Sequence, residues 1–230
     1  MNKWPRRLAL FAGMLLTVAL IVAAICSAAF DHALYHRIIV QNGIDADLQM
    51  EMQDVDVVTR VLIDYCKGSR DDLDVVVPIN GVEQPFFNEK EIMHMKDVQV
   101  LFRFAKWLLL LSALGAAILI AISGSRSGWD MPLLLKQCAK GIGIILGIIA
   151  VVALFAVFDF STFWTLFHYV FMWNDLWLLN PATDLLIVLM PLRFFIGICT
   201  TIVLRFGIGL AVCIAIGVVI NTVYQRKRIV

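Results

Sequence analysis

Glu91, His94 and Asp97 are the residues of this chain whose types and spacing point most directly to chemistry. Side chains three residues apart share one side of an α-helix over a few turns, so the imidazole is expected between two carboxylates. A neighbouring carboxylate can orient such a ring, select its tautomer and hold its pKa near the working pH. The segment therefore predicts a proton-transferring group. The alternative is a polar helix face at a membrane entrance that performs no chemistry.

The same segment carries the signals of a helix N-terminus. Asn88 is a residue type that caps helices, and Glu91, three residues later, can return a hydrogen bond in a capping box. We therefore expect a helix that begins near Asn88 and continues into the apolar stretch that follows.

His168 is a second candidate, because it lies in an aromatic-rich segment that ends at Trp177. Tryptophan and tyrosine collect at membrane interfaces, so a structural aromatic belt is one explanation. A belt does not need a histidine, and Asn174, Asp175 and Asp184 must find water or partners. The other explanation is a wet pocket for a substrate with a polar head and acyl chains. The residues predicted to line this pocket are Phe167, Tyr169, Phe171, Trp173 and Trp177.

The composition indicates that these residues belong to a membrane protein. Of the 230 residues, 61% are hydrophobic, which argues against a soluble globular class, and four apolar stretches can cross a hydrocarbon core of about 30 Å. We predict an α-helical membrane protein with four transmembrane helices and a small α+β extracytoplasmic cap. The predicted segments are an N-terminal tail with the first span (1–30), the cap (31–97), the second span (98–122), a cytoplasmic loop (123–140), the third span (141–158), an outer aromatic interfacial segment (159–193), the fourth span (194–220) and a cytoplasmic tail (221–230).

The predicted cap contains one helix and one hairpin. Residues 45–66 have helical spacing of apolar side chains and end near Gly68. Residues 73–86 read as two short strands around Asn80-Gly81, a dipeptide that favours type I′ turns. Two strands are not stable alone in water, so we expect the hairpin to pack on the cap helix or on the membrane surface.

Basic residues predict the orientation of the chain. The tail, the loop and the C-terminus carry an excess of lysine and arginine with only Asp130 as an acid, which is typical of cytoplasmic segments. Both termini are therefore predicted to be cytoplasmic, with the cap, the aromatic segment and all four histidines outside. The basic residues are Lys3, Arg6, Arg7, Arg126, Lys136, Lys140, Arg226, Lys227 and Arg228.

Other catalytic constellations have little support in the sequence. There is no G-x-S-x-G nucleophile motif, and the serines near Gly124 lie on the predicted cytoplasmic side. Zinc held by His94, His168 and carboxylates stays an alternative, but no H-E-x-x-H or comparable spacing supports it. We therefore expect no metal.

Taken together, these residues resemble the bacterial lipoprotein intramolecular transacylases. The resemblance extends to the architecture of four spans, an outer cap and cytoplasmic termini. The elements that carry it are the run from Glu91 to Val98 ahead of the second span, the aromatic run with Phe167, His168, Phe171, Asp175 and Trp177, and residues 184–191 ahead of the fourth span.

The resemblance implies a multi-pass enzyme of the bacterial cell membrane with its active site on the extracytoplasmic face. The implied substrate is a diacylglyceryl-modified lipoprotein with a free N-terminal cysteine. Its sn-2 acyl chain would move from the glycerol oxygen to the cysteine nitrogen, which gives a lyso-form lipoprotein. No cofactor and no external acyl donor are implied. We expect the lipoprotein and membrane lipid as partners and no nucleic acid.

The resemblance also implies that His94 and His168 are catalytic. Our hypothesis makes His94 the base toward the α-amine, while His168 donates to the carbonyl oxygen or to the departing glycerol oxygen. The reverse assignment of the two roles fits the sequence equally well, because a sequence does not give the geometry of the two rings. The residues predicted to support or orient the histidines are Glu91, Asp97, Asn88, Asp175 and Asp184.

Two other classes of protein are compatible with the pattern. One is a non-catalytic membrane protein whose cap binds a partner, with the histidines as interface residues. The other is a transporter, but Arg205 is the one hint of a buried charge and no inverted repeat is evident.

Overall fold

The structure is a computed structural model that describes residues 3–229, with side chains described as far as residue 226. Residues 1 and 2 of the predicted tail, residue 230 and the side chains of Lys227 and Arg228 lie outside the described residues. Within this range the elements are α1 (Trp4–Ala29), α2 (His32–Asn42), α3 (Ile44–Leu48), α4 (Met52–Lys67), β1 (Val76–Ile79), β2 (Val82–Pro85), α5 (Glu89–Ser127), α6 (Met131–Phe158), α7 (Phe160–Phe171), α8 (Leu185–Leu189) and α9 (Leu192–Ile229).

Four helices among the described residues, α1, α5, α6 and α9, are long and apolar enough to cross a membrane. This agrees with the predicted fold class. Helix α5 has 39 residues, which is about 58 Å at 1.5 Å per residue and much longer than a hydrocarbon core. Part of α5 therefore extends beyond the hydrocarbon. Helix α6 starts at Met131, so residues 131–140 of the segment predicted as a cytoplasmic loop are helical. Asp130 Oδ1 caps this helix start, because it accepts a hydrogen bond from Leu133 N at 3.2 Å.

The chain forms two compact units. The first, here called the helical unit, comprises the residues up to Ala24, Lys106–Phe163 and the residues from Leu204 onward. The second, here called the cap unit, comprises Ile25–Ala105 and Trp164–Val203. The long helices α1, α5 and α9 each contribute residues to both units.

In the helical unit, α1 and α6 pack with their backbones in direct contact. Gly13 faces the backbone of Cys138, and Gly141 faces the backbone of Leu10, so that a methyl group at either glycine would overlap main-chain atoms. Glycine permits this close approach because it has no side chain. Cys138 Sγ also donates to the carbonyl oxygen of Ala9 at 3.2 Å.

The cap unit contains a hydrophobic core to which α2, α3, α4, the hairpin and α8 contribute. The predicted helix 45–66 is two helices, because Gln49 adopts a left-handed conformation (φ 54°) that ends α3. The buried residues of the core include Ile39, Ile44, Val55, Val58, Leu62, Phe86, Leu189 and Phe194.

The predicted hairpin is present and packs on the cap helix. Ile79 pairs with Val82, and Asn80 and Gly81 have φ values of 53° and 76°, as a type I′ turn requires. β1 contacts α4 through a face with Val77 and Ile79 buried, whereas β2 is exposed along its length.

Two of the four histidines serve the packing of α2 on α4. His36 Nδ1 is hydrogen-bonded to Asp56 Oδ1 at 2.9 Å, and His32 Nε2 lies 3.1 Å from the Asp56 carbonyl oxygen. One ring nitrogen of each histidine therefore binds Asp56 of α4.

Candidate active site

The site is built on the first turn of α5, where the predicted capping box is present. Glu91 N donates to Asn88 Oδ1 at 3.0 Å, and Asn88 N donates to Glu91 Oε2 at 2.7 Å. The two residues satisfy backbone donors that a helix start otherwise leaves without partners. The start of α5 is thereby fixed, and His94 follows one turn later.

Glu91 also holds a distant part of the chain. Its side chain has no exposed surface, and Oε1 accepts a hydrogen bond from Leu186 N at 2.6 Å. Asn88 Nδ2 donates to Asp184 Oδ1 at 2.9 Å, and Asp184 Oδ2 accepts from Asn180 N at 2.7 Å. We call residues 180–186 the anchoring loop. Two buried carboxylates therefore tie the anchoring loop to the start of α5.

The hydrogen bonds of Asp184 favour its ionised form. The backbone N–H of Asn180, followed by the side chains of Asn88 and Thr183, lowers the pKa of Asp184 below its ordinary value against an opposing effect of burial. A carboxylate that is already ionised can accept from all of these donors at once.

His94 on α5 and His168 on α7 lie side by side in the cap unit. Their ring centroids are 6.1 Å apart with an angle of 31° between the planes, and the two residues are only 7% and 5% exposed. The fold thus brings together the two histidines that the sequence predicts as catalytic.

The carbonyl oxygen of Trp164 determines the tautomer of His168. His168 Nδ1 lies 2.8 Å from this oxygen, one helical turn earlier in α7. A carbonyl oxygen only accepts, so Nδ1 carries the hydrogen and Nε2 of the neutral ring has a free lone pair. Trp164 is not among the site residues predicted from the sequence. Its position four residues before a candidate histidine on a helix is the signal that identifies it.

Neither predicted carboxylate is hydrogen-bonded to His94. Both Glu91 oxygens accept from backbone N–H groups, and Asp97 Oδ2 accepts from Asn174 Nδ2 at 2.8 Å. His94 Nδ1 is buried and has no hydrogen-bond partner among residues 3–229. Glu91 is therefore a positioning residue for the backbone around the site, and its oxygens are not available to the imidazole.

The comparisons with known proteins agree with this arrangement. The family model described as "Lipoprotein intramolecular transacylase Lit" matches residues 10–195. The chain belongs to this family. It is thus a multi-pass membrane acyltransferase of the lipoprotein intramolecular transacylase type, as the sequence analysis predicted.

Solved structures support the same fold. The membrane-integral lipoprotein intramolecular transacylase Lit from Bacillus cereus matches with a TM-score of 0.78 at 20% identity over 100% of both chains. Two variants of the Bacillus cereus protein, with a histidine replaced by arginine or by alanine, match with a TM-score of 0.77 at 19% identity. They cover 98% of this chain, and 94% and 96% of theirs. Among curated proteins, no sequence relative matches.

Aromatic rings enclose His168 on several sides. Trp177 stacks on the imidazole with 4.7 Å between the ring centroids and an angle of 23° between the planes. Trp164 and Phe167 meet the imidazole edge-to-face, with 4.9 and 5.4 Å between the ring centroids. A transacylase benefits from such a wall, because excluded water cannot compete with the intended nucleophile.

The other predicted lining residues differ in their placement. The ring centroids of Phe171 and Phe167 are 5.0 Å apart, and Tyr169 meets the Trp177 ring edge-to-face with 5.2 Å between the centroids. Trp173, however, is 94% exposed, and its Nε1 donates to the Val170 carbonyl at 3.3 Å. It does not contribute to the wall around His168. Asp175 is exposed and accepts from Leu178 N through its backbone oxygen.

Burial of His168 predicts a pH-dependent stability. Burial lowers the pKa of His168 below the ordinary value of 6.5, and its bond to the Trp164 carbonyl offsets part of this effect. His168 lies in α7, outside the four candidate spans. As the pH falls below 6.5, the unfolded ring binds a proton before the folded ring does, so the free energy of unfolding decreases. We expect the thermal midpoint in detergent to fall less steeply for His168→Asn than for the wild type between about pH 7 and pH 5. Equal slopes would contradict the prediction.

Proposed function

We propose that this transacylase moves the sn-2 acyl chain of a diacylglyceryl-modified lipoprotein to the amino group of its N-terminal cysteine. The observation that carries the proposal is the pair of buried imidazoles, one of which has a defined tautomer with a free nitrogen. The family membership supplies the substrate class, and the two rings supply the proton transfers that the exchange of an ester for an amide requires.

The reaction needs confinement as well as proton transfer. Amine and ester belong to one molecule and are linked through the cysteine and two glycerol carbons, so attack closes a medium-sized ring that a flexible chain rarely samples. Correct positioning of two reacting groups can lower a barrier by several kcal/mol. Rigid walls support this role, because the start of α5 and the anchoring loop are tied by Glu91 and Asp184.

The tautomer of His168 favours it as the base. Nε2 takes the proton of the attacking amine as the nitrogen bonds to the ester carbon, and the carbonyl electrons move to oxygen. The carbon–oxygen bond to glycerol then breaks as His94 gives a proton to the glycerol oxygen. His94 regains a proton from Nε2–H of His168, so both rings end neutral. An imidazole can accept a proton at one nitrogen while it releases one from the other. The roles are therefore the reverse of the initial hypothesis.

We also propose that the site faces the extracytoplasmic side, with both termini in the cytoplasm. The support is the concentration of lysine and arginine in the segments 1–7, 123–140 and 221–230. A substrate in the outer leaflet would then present its polar head to the cap unit and its acyl chains to lipid.

A lipopeptide with different acyl chains at sn-1 and sn-2 tests the proposal. We expect the purified enzyme to leave the total mass unchanged, because the transfer is intramolecular, while fragmentation shows the sn-2 chain on the cysteine nitrogen. Mild alkali should then release the sn-1 chain alone. The control is the same lipopeptide with an acetylated amine, which cannot react.

Three outcomes would contradict the proposal. The first is the sn-1 chain on nitrogen. The second is exchange of chains between isotope-labelled and unlabelled lipopeptides, which would indicate transfer between molecules. The third is no transfer by a folded protein, which would favour a non-catalytic role for the cap.

A further inference from the structure

Trp177 has a buried polar atom without a hydrogen-bond partner among the described residues. This atom is Nε1, which is inaccessible to solvent. Buried indole N–H groups usually find an acceptor, because an unpaired one costs free energy. The same is true of His94 Nδ1, and both residues lie beside His168. Unpaired polar atoms around one imidazole are expected where a substrate completes the hydrogen bonding.

The chemistry of an indole restricts what Nε1 can bind. It donates and does not accept, and it does not release its proton at ordinary pH. It therefore cannot be the base, and it cannot protonate the glycerol oxygen. Donation to the α-amine would occupy the lone pair that the attack needs. Two oxygens accept hydrogen bonds and gain negative charge during the reaction, the ester carbonyl oxygen and the departing glycerol oxygen. The glycerol oxygen takes its proton from His94 in the proposed mechanism, so the ester carbonyl oxygen is the atom left for Nε1–H.

We propose that Trp177 Nε1–H donates a hydrogen bond to the ester carbonyl oxygen and stabilises the oxyanion. This inference rests on the proposed function. As the amine nitrogen bonds to carbon, the carbonyl π electrons move to oxygen and the Trp177 hydrogen bond strengthens. When the oxyanion collapses, the carbonyl forms again and the carbon–oxygen bond to glycerol breaks. The proton transfers by the two histidines are unchanged, since Trp177 keeps its proton throughout.

The placement of Trp177 supports the role. Its ring stacks on His168 at 4.7 Å, so a carbonyl at Nε1 stays near the group that receives the amine proton. Trp177 lies between residues 172 and 184, where the structure has no helix or strand. Residues 172–179 precede the anchoring loop, and fewer backbone hydrogen bonds oppose their displacement than in a helix or strand, which lets a substrate reach the covered nitrogen while the anchoring loop stays tied.

Two replacements of Trp177 separate its N–H from its packing. Trp177→Phe removes the N–H and part of the ring. Site-specific incorporation of 3-benzothienylalanine at position 177 keeps the shape of the ring and replaces N–H by sulfur. We expect both to lower kcat for the labelled lipopeptide by about 10²–10³-fold, with KM nearly unchanged, because the bond is strongest in the transition state. The matched control is Trp173→Phe, which we expect to keep wild-type kcat.

Each outcome has a definite meaning. A benzothienyl enzyme with wild-type kcat would overturn the inference, and so would a rise in KM at unchanged kcat, which indicates a bond of equal strength in the ground state and the transition state. If the Trp177 variants are active while His94 and His168 variants are not, this inference fails and the proposed function stands. If the histidine variants are fully active, the histidine mechanism fails whatever the Trp177 variants show, and if the wild-type protein transfers no acyl chain, the proposed function fails.

Discussion

Replacement of His168 by asparagine is expected to reduce the acyl shift by about 10²–10⁴-fold, the usual contribution of a general acid–base group. Asparagine can still donate to the carbonyl oxygen of Trp164, so the last turns of α7 keep their local hydrogen bond. It has no group that takes a proton from an amine. The fall should therefore appear in kcat, measured by mass spectrometry on the lipopeptide, without loss of the folded protein.

His94→Asn should have a similar effect, and the double variant should be little worse than either single one. Groups that act together in one proton path are not additive, because removal of either interrupts the path. The matched control is His36→Asn, which changes a histidine of the same unit that binds Asp56. Full activity in both single variants would exclude the histidine mechanism. Loss of activity in His36→Asn as well would indicate a general effect on the fold.

The local elements of the fold were predictable because their determinants are neighbours in the sequence. Asn88 and Glu91 define the start of α5 through two reciprocal hydrogen bonds within one turn. Asn80-Gly81 defines the hairpin, since both residues reach positive φ at low cost. The apolar stretches indicated four membrane helices for the same reason: length and composition are local properties.

The partners of the predicted site residues were not predictable, because they come from distant backbone. Glu91 was expected to orient His94, yet its Oε1 binds Leu186 N, a group of the anchoring loop that no side-chain pattern reveals. Trp173 and Trp177 are equivalent as members of an aromatic belt. Packing alone distinguishes them, since Trp173 is exposed to the surroundings while the Trp177 ring stacks on His168.

Glu91→Gln is expected to destabilise the cap unit and to reduce transacylation with it. Glutamine keeps one oxygen acceptor, but its amide group then faces a backbone N–H, and two donors meet without an acceptor. A buried donor left without a partner costs about 1–3 kcal/mol, and each kcal/mol lowers the thermal midpoint by about 2–4 °C in a chain of this size. Thermal unfolding in detergent measures the first effect and the lipopeptide assay the second.

The reason to expect lost activity is the position of the anchoring loop in the chain. It begins three residues after Trp177, and the side chains of Asn88 and Glu91 at the start of α5 hold it through Asp184 and Leu186 N. If the loop loosens, the stacking of Trp177 on His168 is no longer constrained from that side. Glu89→Gln is the control, because Glu89 is exposed on the same helical turn. Equal midpoints and equal activity for the two variants would show that the Glu91 carboxylate does not hold the loop, and the rigidity of the site would then need another source.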